Sequence, residues 1–141
     1  MASYYKGLQF NTALQAQWAA FFDLARWSWW TNPRAIENWK SDFLVTFPCG
    51  HSECGESHTL LVTVLPVPTV EEINSFAGLA HSYHVDDADG EWVADASALF
   101  GSNPETATWE MSHGSGGGVE KLSDWVDEAD DFWKKAATLI K

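Results

Sequence analysis

A chain of 141 residues with 9 tryptophans and 8 phenylalanines can bury a core as one domain, 1–141, without disulfide staples. Its 20 acidic against 8 basic side chains leave a net charge of −12, which disfavours direct binding to nucleic acid, where affinity comes largely from Lys and Arg neutralising phosphates. No apolar run approaches membrane-spanning length and no charged segment followed by an apolar one opens the chain, so a soluble cytoplasmic protein is expected.

In chain order, Thr12 and Gln15 form a capping-box pattern, and Leu14, Trp18, Phe21, Phe22 and Ala25 follow at helical spacing, predicting an amphipathic helix over 12–25. Aromatic alternation over 27–30 predicts a short strand that ends before Asn32-Pro33. Residues 42–47 form a second expected strand, stopped by Pro48, and 58–65 a third, with 49–57 as the tip of the hairpin between them. Thr69 and Glu72 cap a second predicted helix, whose buried stripe is Val70, Ile73, Phe76, Ala77 and Ala80. An acidic turn follows over 86–90, then strands over 92–100 and 106–111 around the Gly101 to Pro104 turn, and a flexible Gly-rich loop over 114–118. From Ser123, the set Trp125, Val126, Ala129, Phe132, Trp133, Ala136, Ala137 and Ile140 predicts a final helix with its acids early and Lys134 and Lys135 late.

Strands interleaved with single-striped helices imply an α/β fold in which a sheet carries helices on both faces. The charge is uneven: residues 1–70 hold 5 acids and 4 bases, residues 71–141 hold 15 acids and 4 bases, so the halves contribute −1 and −11. The acidic half serves either as a solvated, solubilising surface or as one that attracts a basic partner, as a DNA mimic would.

The run from Thr12 to Leu24, then Trp27-Ser28-Trp29, then Ser41-Asp42-Phe43, resembles the opening of small phage and mobile-element proteins of the PD-(D/E)-x-K, or restriction-endonuclease-like, nuclease superfamily. The resemblance covers about residues 11–100 and implies a three-layer αβα sandwich around a central mixed sheet, with the C-terminal helix added. It also implies an acid in the first helix, an Asp opening the second strand, and an acid, a spacer and a Lys in the third. Two such carboxylates hold a hard divalent cation, and the Lys orients water or offsets charge. Here Gln15 stands at the helix acid and Asp42 is kept, while Thr63 and Leu65 replace the strand acid and the Lys. A lone carboxylate binds Mg2+ poorly, so the resemblance implies a nuclease fold without cutting chemistry, Asp42 being a remnant. The alternative is an active metal-dependent nuclease or phosphodiesterase with migrated acids, for which Glu53, Glu56, Glu71 and Glu72 are available.

The densest local chemistry is Cys49, His51, Cys54 and His58, four zinc-type donors within ten residues, with Gly50 and Gly55 to let the loop fold around an ion. Free thiols with exposed histidines, a structural Zn2+ and a Cys49–Cys54 disulfide all remain open, and a closed four-donor zinc would be structural. Most of the tryptophans are expected in the core, with one of Trp29, Trp30 or Trp39 exposed. The functional expectation is a binding protein from a phage or mobile element. Its partner would be a protein, basic or belonging to nucleic-acid-handling machinery.

Overall fold

The computed structural model describes residues 3–31, 33, 41–48, 57–68, 85–87, 89–113 and 116–141. Among these residues it is an α/β fold with a mixed six-stranded central sheet and two helices. An N-terminal hairpin, β1 (Ser3–Tyr5) and β2 (Leu8–Phe10), precedes helix α1 (Ala13–Leu24). Strands β3 (Ser28–Thr31), β4 (Phe43–Pro48) and β5 (Ser57–Val64) form an antiparallel meander. A two-stranded ribbon, β6 (Val85–Asp86) with β7 (Trp92–Ala94), leads into β8 (Ala96–Phe100), which lies parallel to β5. Antiparallel β9 (Ala107–His113) and β10 (Gly116–Lys121) complete the sheet, and helix α2 (Ala129–Leu139) ends the fold. The sheet order is β10-β9-β8-β5-β4-β3.

Helix α1 begins as its capping box predicts. Thr12 Oγ1 accepts from the Gln15 backbone N–H at 3.1 Å, a donor that the first turn leaves unbonded, and Gln15 Oε1 reaches back to accept from the N–H of Asn11, just ahead of the cap, at 3.1 Å. The helix ends in a Schellman arrangement: Trp27 N–H donates to Phe22 O and Arg26 N–H to Asp23 O, with the Trp27 ring stacked on Phe22 at 8°. Between these ends Trp18, Phe21 and Phe22 are fully buried, each contributing about 1.5–3 kcal/mol by leaving water. Trp18 Nε1 donates to Gly101 O at 2.9 Å, so this large ring carries no orphaned donor into the core.

The two described helices cover one face of the sheet. That core joins α1 to Phe43, Val45, Phe47, Leu60, Val62, Phe100 and Trp109, with Ala129 and Ala136 of α2. The opposite face carries Leu61 with Val85, Val93 and Ala94, and separately Leu99 with Val67 and Leu65. Strict alternation along β4 and β5 sorts these residues, as a period of two requires. Parallel pairing of β5 and β8 needs a long crossover. The helix expected over 69–80 falls in that crossover and lies outside the described residues, as do 49–56.

Several sequence expectations require correction. The stretch 92–100 is two strands, because at Asp95 the backbone exchanges hydrogen bonds with Thr59: Asp95 N–H donates to Thr59 O, and the Asp95 carboxylate accepts from Thr59 N–H, each at 2.8 Å. Gly116, Gly117 and Gly118, expected in a flexible loop, pair with Met111, Ser112 and His113, so partner strand β9 imposes strand on residues with little preference for it. The last helix starts at Ala129 and not at Ser123. Leu122–Asp124 forms a 3-10 turn, and Val126 is buried from a loop. The N-terminal hairpin is an element that sequence patterning missed. Its turn places Lys6 at φ 51° and Gly7 at φ 78°, a two-residue connection with both φ positive. Tyr4 and Lys141 exchange both backbone hydrogen bonds at 2.9 Å, so Lys141 pairs with β1.

Candidate functional site

Three elements meet at Asp42. Phe43 opens β4 opposite Val62 of β5. The Asp42 N–H donates to Val62 O at 2.9 Å, which fixes the backbone just before β4. Its carboxylate is then held on both oxygens: Oδ1 accepts from Gln15 Nε2 at 2.9 Å, and Oδ2 accepts from the Val64 N–H at 2.7 Å. One side chain thus ties α1 to the end of β5.

The Gln15 amide has a fixed orientation, because its oxygen serves the Asn11 N–H and its nitrogen serves Asp42. A glutamate could keep the first contact but not the second. Burial pushes the Asp42 carboxyl above its usual range, against the opposing pull of the Val64 and Gln15 donors. Thr63, also buried, donates through Oγ1 to the buried Ser41 Oγ at 3.2 Å. Leu65 packs with Val67 and Leu99 on the face away from the helices. The structure therefore joins Gln15 to Asp42, sets Thr63 against Ser41, and turns Leu65 into an apolar cluster.

An open, mainly polar cleft of about 440 Å³ adjoins this junction, lined among others by Gln9, Asn11, Gln15, Thr31, Ser41 and Asp42. The β1–β2 hairpin forms one wall. Asp23 pins that hairpin: its carboxylate accepts from Tyr5 OH at 2.6 Å and Trp29 Nε1 at 2.9 Å, and pairs with Lys6 Nζ at 2.9 Å. Burial works to raise the Asp23 carboxyl, but the donors from Tyr5, Lys6 and Trp29 outweigh it and hold the group below its usual range. Burial, together with the same contact, raises the Tyr5 phenol well above its usual range.

Of the four zinc-type donors, Cys49, His51 and Cys54 lie outside the described residues. His58 is buried against Phe47 and Trp125, with Nδ1 at 3.4 Å from Asp95 Oδ2. Among the described residues no three His, Cys, Asp or Glu side chains gather as a metal-binding group, and no helix is long and apolar enough to cross a membrane.

Sequence reasoning reached Gln15, Asp42 and Thr63 through the motif but missed the Val64 N–H, a backbone donor that no side-chain pattern reveals. It also missed Asp23, whose role became visible only once the hairpin was seen. A scan against protein-family models finds no match to this chain, and neither do searches of curated proteins and of solved structures.

Proposed function

We propose that this chain is a restriction-endonuclease-like nuclease fold that has given up divalent-metal chemistry and acts by binding a protein partner. One observation carries the reading: both oxygens of Asp42 are occupied by protein N–H donors. In a cutting member of that superfamily the corresponding carboxylate would share a cation with a second acid, so its oxygens would be kept for metal. Gln15 satisfies Asp42 as a neutral donor, and Thr63 and Leu65 supply neither a carboxylate nor an ammonium. The helix, the three-stranded meander and the parallel return strand β8 agree with the core the superfamily shares.

The partner is expected to be basic, or part of a nucleic-acid-handling machine, and the setting a phage or mobile element. Exposed Glu105, Asp127, Glu128, Asp130 and Asp131 surround a depression at the start of α2 and supply the complementary charge. Zn2+ held by Cys49, His51, Cys54 and His58 would be a structural addition outside this site.

Calorimetric titration with Mg2+ and Mn2+ tests the reading, together with incubation of single- and double-stranded DNA and RNA in Mg2+, Mn2+ and Zn2+. No heat of binding at Asp42 and no cleavage are expected. Cleavage that disappears in Asp42→Ala would replace this reading with that of an active nuclease with relocated acids.

A further inference from the structure

We propose that the outer edge of β3 is a docking strip for an acidic, extended peptide of a partner protein, which adds as a further strand and sets a carboxylate against Arg26. The strand is the last in the sheet, and among the described residues nothing pairs with its other side. Half of its backbone N–H and C=O groups therefore face outward, the geometry on which strand addition depends.

Side chains give the edge two distinct faces. Trp29 turns inward beside Phe10 and Phe43, with its Nε1 bonded to Asp23. Trp30 turns the other way and is 53% exposed, the most exposed of the large apolar side chains among the described residues. An added strand would pass beside Trp30 and bury it, as an aromatic anchor at an interface requires.

Charge selects the kind of peptide. In a chain with 20 acids and 8 bases, the depression beside β3 is lined by two cations, Lys6 and Arg26, together with Asp23 and the tryptophans. Asp23 is already occupied by Tyr5, Trp29 and Lys6, and Lys6 is committed to it. Arg26 is exposed and makes no ion pair with any described carboxylate. Asp127 and Glu128 line the adjoining depression without reaching ion-pair distance of it. Its guanidinium suits bidentate capture of a carboxylate.

The backbone adds an independent reason. Arg26 sits at φ 64°, at the Schellman position where glycine is preferred and any other side chain is disfavoured. A residue that keeps an unfavourable conformation at an exposed point points to a task other than stability. Nucleic acid would also use a cation and an aromatic ring, but two cations in a chain of net charge −12 give it little attraction. None of this depends on Asp42, so a cation bound there would leave the docking strip unaffected.

The test uses a fluorescein-labelled peptide of alternating Val and Glu, about eight residues long, in a polarisation titration of the whole protein. Saturable binding is expected, weakened at least about tenfold in Arg26→Gly and in Trp30→Ser, and weakened less in Arg26→Lys, which keeps the charge but loses the bidentate fork. Amide shifts should concentrate on Ser28–Thr31. Arg26→Gly relieves the backbone, so its melting temperature should not fall, and lost binding cannot then be assigned to unfolding. The proposal is overturned by no saturable binding up to about 1 mM, by equal binding of the Val-Lys peptide, by an undiminished Arg26→Gly, or by binding of oligothymidylate in place of the peptide.

Discussion

Replacing Gln15 by glutamate restores one acid of the nuclease motif by a change of a single functional group, and its cost can be worked from the geometry. In Gln15→Glu, the carboxylate oxygen that keeps Asn11 leaves the other facing Asp42 Oδ1, where a 2.9 Å hydrogen bond stood. Losing a bond to a charged acceptor costs roughly 1.5–3 kcal/mol. Two carboxylates about 4 Å apart would repel by about 4 kcal/mol at an effective dielectric of about 20, reduced when the pair shares one proton. Asp42, already raised by burial, is disposed to take that proton. A net loss of about 2–4 kcal/mol is expected at about pH 7, a fall in melting temperature of roughly 5–15 °C for a chain of this size. Near pH 4 the loss should shrink, as the shared proton removes the repulsion. Mn2+ should then distinguish the two proteins: a cation at about ten times its Kd adds about 1.4 kcal/mol to Gln15→Glu, while the parent, with both Asp42 oxygens occupied, gains nothing. Thermal melts with and without Mn2+ at both pH values decide the matter. A parent that Mn2+ stabilises as much as the variant, or a Gln15→Glu protein as stable as the parent at neutral pH without metal, would refute the account of the Asp42 junction.

Asp42→Asn removes a carboxyl whose pKa lies above its unfolded value. Ionisation of that group therefore opposes folding, and its contribution is greatest at low pH and declines as pH rises from about 3.9 through the raised value. Urea melts should show the advantage of the parent over Asp42→Asn shrinking as pH rises through that window; an advantage that grows would reverse the sign. Tyr5→Phe should cost about 1.5–3 kcal/mol at neutral pH, since a 2.6 Å bond to a charged carboxylate is lost. Asp23 is held low, so its stabilisation is present above the unfolded value and lost as pH falls through the folded one. The penalty of Tyr5→Phe should disappear at that acid end, and a pH-independent penalty would contradict the pairing. Gly101→Ala would drive a methyl into Val67 O and the buried Thr106 side chain, at a cost of about 2–3 kcal/mol read by denaturant midpoint. Metal analysis of the purified protein should find zinc near one equivalent if Cys49, His51, Cys54 and His58 close around an ion; its absence would leave the thiol or disulfide alternatives.

The parts of this fold that were legible in the sequence are those where side chains carry the signal. Helix α1 could be placed because Thr12 and Gln15 mark its start and because Trp18, Phe21 and Phe22 recur on one face. Strands β4 and β5 alternate clearly, and that alternation also put Trp30 on a face different from Trp29. Where pairing partners decide structure, the sequence was mute. Gly116 to Gly118 form a strand because β9 lies beside them, and the three-residue strands β1 and β2 are too short for any period to show. Their turn left one trace, a Lys-Gly pair in place of the common Asn-Gly. At the candidate site the motif singled out Gln15 and Asp42, which the structure joins, but not how the second oxygen of Asp42 is satisfied, since that depends on the backbone amide of Val64.

The bond exchange between Tyr4 and Lys141 bears on how the cleft comes into being. The hairpin walling it precedes every other described element in the chain, yet the side of β1 turned away from β2 is paired by Lys141, a residue made after all of them. Asp23 can gather the hairpin sooner, but its final seating waits for that late arrival. A nascent or trimmed chain lacking residues 140 and 141 would therefore carry a loosened rim beside Asp42, and proteolytic nicking should begin at that rim.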